Sequence, residues 1–111
     1  MKSITRDELR DSLIMNEKMF IVEALGEKYW KDGHIPGALQ IDVNEVQDQA
    51  TALLPDKGIR TVVYCANTEC RNSSKVAHAL EGLGYEDVRE YVEGKQDWIE
   101  HGLPVVISGA Q

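Results

Sequence analysis

Two cysteines, Cys65 and Cys70, are the only thiols in the chain, and Arg71 directly follows the second. They lie between an apolar run, Thr61-Val62-Val63-Tyr64, and a segment of helical spacing that begins near Ser73. A strand that ends in cysteine and runs through a short loop into a helix start sets its thiol before backbone N–H groups that have no intrahelical partner. Such donors stabilise negative charge, so they lower a thiol's pKa and also hold an anion. Here the donors would come from Ala66, Asn67, Thr68, Glu69, Cys70 and Arg71. The Arg71 guanidinium suits a two-point grip on an oxyanion, whereas the Glu69 carboxylate opposes it, so the expected field is only weakly positive. Plainer readings stay open: Cys65 as a small buried hydrophobe, Cys70 as an exposed loop residue and Arg71 as a solvated helix-start residue. Cys65, Cys70 and His78 match no familiar zinc spacing, so neither metal nor cofactor is expected.

The elements that must position this loop are legible in outline. Thr5-Arg6-Asp7-Glu8 has capping-box spacing, with Leu9 and Leu13 one turn apart behind it, and predicts a helix. Met19-Phe20-Ile21-Val22 reads as a buried strand, Glu27 to Lys31 as one helical turn, and Gly33-His34-Ile35-Pro36-Gly37 as a fixed turn in which His34 bonds locally. A strand over Ala38 to Val43 follows. Asn44 with Gln47 looks like a helix start, Val46, Ala50 and Leu53 form one face, and Pro55 to Gly58 ends it. After the Thr61 to Tyr64 strand, Val76, Ala77, Leu80 and Leu83 repeat at helical spacing up to Gly84, which is suited to a left-handed helix end. Val88 to Val92 makes a further strand, and Gly94 to His101 a last helix. The two glycines of Glu81-Gly82-Leu83-Gly84 end a helix and form no dinucleotide fingerprint. Trp30 and Trp98 read as packing residues. Strands alternating with amphipathic helices predict an α/β fold, a mostly parallel sheet with helices on both faces, and ligands beyond the carboxyl ends of the strands, where Cys65 falls.

Length and composition narrow the rest. A chain of 111 residues predicts one domain over 1–111, and 42% hydrophobic with 28% charged residues is ordinary for a soluble protein. A net charge of -7 repels phosphate backbones and anionic lipid heads, which argues against nucleic acid and membrane as partners. No apolar run reaches the length of a membrane span or a signal-peptide core, so a cytoplasmic location is expected. Two cysteines this close in sequence do not frame a secreted fold.

Taken together, Gly33-His34-Ile35-Pro36-Gly37-Ala38, the strand ending at Cys65, the Ser73 to Leu83 helix, Tyr91-Val92-Glu93-Gly94-Lys95-Gln96-Asp97-Trp98 and Gly102-Leu103-Pro104-Val105 resemble a single-domain rhodanese over nearly the whole chain. The resemblance implies a sulfurtransferase. In such an enzyme Cys65 takes sulfane sulfur from a small anionic donor such as thiosulfate, carries it as a persulfide and passes it to a thiol or protein acceptor. Two departures stand out. Glu23 and Leu25 occupy the positions of the family's common Asp-x-Arg pair, so the ion pair of that arginine is absent. The loop is also two residues longer than the commoner Cys-x-x-Gly-x-Arg form, lacks glycine and carries Cys70, as in the Cys-x4-Cys-x2-Ser branch. Cys70 could attack a persulfide or an oxidised Cys65, release sulfide or water, and leave a Cys65–Cys70 disulfide.

Two other classes compete with this one. The Cys-x5-Arg spacing of Cys65 and Arg71 is shared by cysteine phosphatases and arsenate reductases, although Glu69 would face an incoming dianion and the loop has no glycine to let it curl around phosphate. A binding or regulatory module that carries sulfur or docks a partner is the alternative to an enzyme. The residues do not indicate an oligomeric state.

Overall fold

A computed structural model describes residues 1–107. Its elements run in the order β1 (Lys2–Ser3), α1 (Arg6–Ile14), β2 (Met19–Glu23), α2 (Glu27–Asp32), β3 (Ala38–Gln40), α3 (Val46–Leu53), β4 (Arg60–Tyr64), α4 (Asn72–Gly82), β5 (Asp87–Tyr91) and α5 (Gly94–Glu100). The five strands form one sheet in the order β1-β5-β4-β2-β3, and every pairing is parallel. No described helix is long and apolar enough to cross a membrane.

The central strands β2 and β4 bury apolar residues on both faces because both are covered, as a parallel sheet requires. Successive residues point to opposite sides, so Val22 and Val63 join a core with Val46 and Ala50 of α3 and Val76 and Leu80 of α4. Ile21 and Val62 join a second core with Leu9 of α1 and Trp98 of α5. Burying each valine, leucine or isoleucine contributes roughly 1.5–3 kcal/mol. The two cores together hold the carboxyl edge of β2 and β4 rigidly enough to carry a site.

The capping box at Thr5 forms as expected: its hydroxyl accepts the Glu8 amide and the Glu8 side chain accepts the Thr5 amide. Gly84 does end α4 with positive φ, at 97°. Four details differ from the sequence expectation. The second predicted strand stops at Gln40 instead of Val43, because Asp42 opens a turn in which its carboxylate accepts the Asn44 amide and its carbonyl the Glu45 amide. That turn delays α3, which begins at Val46 instead of Asn44. Leu53 is 37% exposed while Leu54 is fully buried, since Leu54 precedes Pro55, leaves helical geometry and turns inward. Finally, β1 has no apolar period to reveal it. Two exposed residues pair with β5, and Ile4 then drops into the core.

Candidate active site

β4 ends at Tyr64, and Cys65 follows at the carboxyl edge of the sheet with 1% of its surface exposed. The loop then divides. Its first part is fastened to the start of α5: the Cys65 carbonyl accepts the Lys95 amide at 2.8 Å and the Ala66 carbonyl accepts the Gln96 amide at 2.9 Å. Gly94 makes this approach possible. A Cβ there would stand 2.6 Å from the Cys65 carbonyl oxygen and 2.9 Å from backbone atoms of Ala66 and Asn67, and φ is 76°.

The second part, Asn67 to Cys70, is a turn closed on itself. The Cys70 amide donates to the Asn67 carbonyl at 3.1 Å and the Glu69 amide to Asn67 Oδ1 at 3.0 Å. This folds Cys70 back over Cys65, and the two sulfurs are joined as a disulfide with Cα atoms 6.3 Å apart. Cys70 is half-buried against the α3–α4 core. Thr68, Glu69 and Arg71 are exposed. Two of the six amides expected to form an anion cradle, those of Glu69 and Cys70, are therefore engaged by Asn67. Arg71 caps α4 through its carbonyl, which accepts the Lys75 amide, and its guanidinium makes no ion pair among the described residues.

Two polar groups that sequence reasoning missed are linked to Cys65, one directly and one through the other. Ser73, 2% exposed in the first turn of α4, has its hydroxyl 3.3 Å from Cys65 Sγ and donates to Glu90 Oε2 at 2.6 Å. With the disulfide reduced, the Cys65 thiol can donate to Ser73 while Ser73 donates to Glu90, which is a path for the thiol proton to a carboxylate on β5. The only hint in the sequence was the serine of the Cys-x4-Cys-x2-Ser pattern. Nothing local marked Glu90, which reaches the site through strand pairing with Val63.

Behind the loop lies a second network. Glu23, fully buried at the end of β2, accepts the Tyr64 hydroxyl at 2.7 Å and pairs with Lys95 Nζ at 3.0 Å. Lys95 Nζ also donates to the carbonyls of Tyr29 and Gly33, both at 2.8 Å. Burial and the neighbouring Glu23 charge push the Tyr64 hydroxyl far above its usual range, so it stays protonated, donating to Glu23 and accepting the Ile35 amide at 3.0 Å. The Gly33 to Gly37 turn is thereby tied to the strand that carries Cys65. His34 has a structural role: its Nδ1 donates to the Trp30 carbonyl, its ring stacks on Trp30 and its backbone pairs with Val106. The expected loss of an ion pair at Glu23 and Leu25 is thus made good from elsewhere, by a lysine 72 positions later. A cleft of about 500 Å³ opens beside the loop, lined in part by Tyr29, Asn67, Lys95, Ile99 and Val105.

Residues 5–101 match the rhodanese-like domain family. The chain belongs to that family. It is 31% identical over 103 residues to the HTH-type transcriptional regulator Rv0324 of Mycobacterium tuberculosis, an alignment that covers 93% of this chain and 44% of that protein. It is 36% identical over 90 residues to the thiosulfate sulfurtransferase YnjE of Escherichia coli, covering 70% of this chain and 21% of that protein. The chain thus spans less than half the length of either relative. Among solved structures, the rhodanese-like domain of Alr3790 from Anabaena superposes with a TM-score of 0.83 at 25% identity, over 100% of this chain and 84% of that one. The rhodanese-like fold places Cys65 at the strand end that the sequence assigned to it.

Proposed function

We propose that the reduced protein is a sulfurtransferase in which Cys65 attacks the sulfane sulfur of a small anionic donor such as thiosulfate, releases sulfite and holds the sulfur as a persulfide for a thiol or protein acceptor. The carrying observation is the placement of Cys65 at the carboxyl end of β4, with the hydroxyl of Ser73 beside it and the carboxylate of Glu90 behind that hydroxyl. Family membership and the likeness to a thiosulfate sulfurtransferase support the same reading. Ser73 and Glu90 take the thiol proton, which makes the nucleophile. The amides of the opened loop, from Ala66 to Arg71, and the Arg71 guanidinium receive the donor's anionic end. The cleft beside Asn67 and Lys95 gives the acceptor its approach. We place this chemistry in the cytoplasm, where thiols are kept reduced. Closed by Cys70, Cys65 is out of reach of any donor, so reduction precedes catalysis.

The test is sulfite release from thiosulfate by reduced protein freed of reductant, beside Cys65→Ser. Sulfite formed by the unaltered protein and lost in Cys65→Ser is the expected result. No sulfite from thiosulfate, and no sulfur taken from 3-mercaptopyruvate, would overturn the reading. Hydrolysis of an aryl phosphate that needs both Cys65 and Arg71 would replace it with a phosphatase. The likeness to a transcriptional regulator favours a second reading, a sulfur- or redox-sensing module. That reading predicts a persulfide formed once per chain with no turnover to added thiols.

A further inference from the structure

We infer that Cys70 is a resolving thiol that converts sulfur bound on Cys65 into free hydrosulfide, so that the domain releases sulfide instead of keeping its cargo for an outside acceptor. This rests on the Cys65 persulfide proposed above and goes one step past it.

Three observations point there together. Cys70 Sγ reaches Cys65 Sγ itself, since the two are bonded. In a persulfide that atom is the inner sulfur, and attack on it expels the outer one, whereas attack on the outer sulfur would only move the cargo to Cys70. The approach is prepared by the turn, because the Asn67 carbonyl and side chain hold the amides of Cys70 and Glu69 and fold the second thiol back over the first. Cys65 is 1% exposed beneath Cys70, so an external thiol must displace Cys70 before it can reach the same sulfur. Unless an acceptor arrives first, Cys70 is the thiol best placed to react.

The step balances within the loop. The Cys65 persulfide anion and the Cys70 thiol give the Cys65–Cys70 disulfide and hydrosulfide. The new bond joins the two Sγ atoms, and the bond from Cys65 Sγ to the outer sulfur breaks. The departing sulfur keeps the electron pair and takes the proton that Cys70 gives up. The sulfane sulfur is reduced by two electrons drawn from the two cysteine sulfurs. An external dithiol then reduces the disulfide by exchange, becomes a disulfide itself and restores both thiols. With thiosulfate as donor, the cycle consumes one dithiol and yields one sulfite and one hydrosulfide.

The experiment treats anaerobic, fully reduced, reductant-free protein with one equivalent of thiosulfate. Sulfite, hydrosulfide and free thiols are then assayed, and the chain is weighed intact. The expected result for the unaltered protein is one sulfite and one hydrosulfide per chain, loss of both thiols and no added sulfur mass. Cys70→Ser should still release sulfite but retain the mass of one sulfur atom and lose the hydrosulfide signal, and Cys70→Ala should behave alike. Sulfite without hydrosulfide from the unaltered protein, with sulfur retained on either cysteine, would overturn the inference and leave the sulfurtransferase reading standing. Equal hydrosulfide from Cys70→Ser would overturn it as well. Absence of sulfite from every variant would remove the persulfide reading and this inference with it.

Discussion

The two parts of the active loop are held by different means. Cys65 and Ala66 are fixed from outside, by amides at the start of α5 and by the close passage of Gly94. Asn67 to Cys70 is fixed mainly from within, by Asn67's own carbonyl and side chain and by a bond that reduction removes. The bonds that fix the Cys65 backbone do not depend on the disulfide, and the covering half is the part that reduction releases. The proposed chemistry, which holds one sulfur still while uncovering it, would be served by this division.

The sharpest way to break the fixed half is from behind. In Lys95→Met the Glu23 carboxylate is left buried without its cation, and the carbonyls of Tyr29 and Gly33 lose a donor. The expected cost is about 3–5 kcal/mol in denaturant unfolding. Most of it reflects the stranded charge and not the net worth of the pair, so the double change Glu23→Gln with Lys95→Met should recover a substantial part. A double variant no more stable than the single one would show that the lysine matters through its bonds to the turn carbonyls.

Gly94→Ala attacks the same half at the contact itself. The added methyl meets only backbone, which cannot swing aside, and the left-handed φ is unfavourable for alanine, so a loss on the order of 3 kcal/mol is expected. Amide exchange should quicken at Lys95 and Gln96 before it changes at Glu69. Uniform protection along the loop would mean that the two halves move together and that the division drawn above is wrong.

How much of this was legible follows the same division between local and distant partners. Strand β4, helix α4, the Gly84 stop and the Thr5 cap each depend on residues within a turn or two of one another, and periodicity or capping chemistry reveals them. The position of Cys65 was legible because a strand end and a helix start are local features. Glu90 and Lys95 were not, because parallel strand pairing brings Glu90 to Ser73 across 17 positions and the return of α5 brings Lys95 to Glu23 across 72. The retreat of the third predicted helix from Asn44 to Val46 is a further case: a capping pattern was present, but the Asp42 turn took the backbone first. That Cys70 covers Cys65 could be conceived from spacing alone, yet it needed the Asn67 turn to become a geometry.

Asn67 stands at the joint between the halves and gives the smallest expected effect, and the most selective. Its Oδ1 accepts the Glu69 amide at 3.0 Å and its Nδ2 lies 3.3 Å from Gln96 Oε1, so one side chain shapes the covering turn and touches the fixed element. Both bonds are exposed, and Asn67→Ala should cost no more than about 1 kcal/mol of global stability. The same energy should appear where the turn prepares Cys70 for Cys65. Titration against a dithiol buffer should find the disulfide roughly fivefold easier to reduce, which is what about 1 kcal/mol amounts to in an equilibrium constant. Glu69 amide exchange should rise in both redox states, while Lys95 and Gln96 stay protected. If the disulfide equilibrium does not move, the turn does not prepare the closure, and Cys70 finds Cys65 by the shortness of the loop alone.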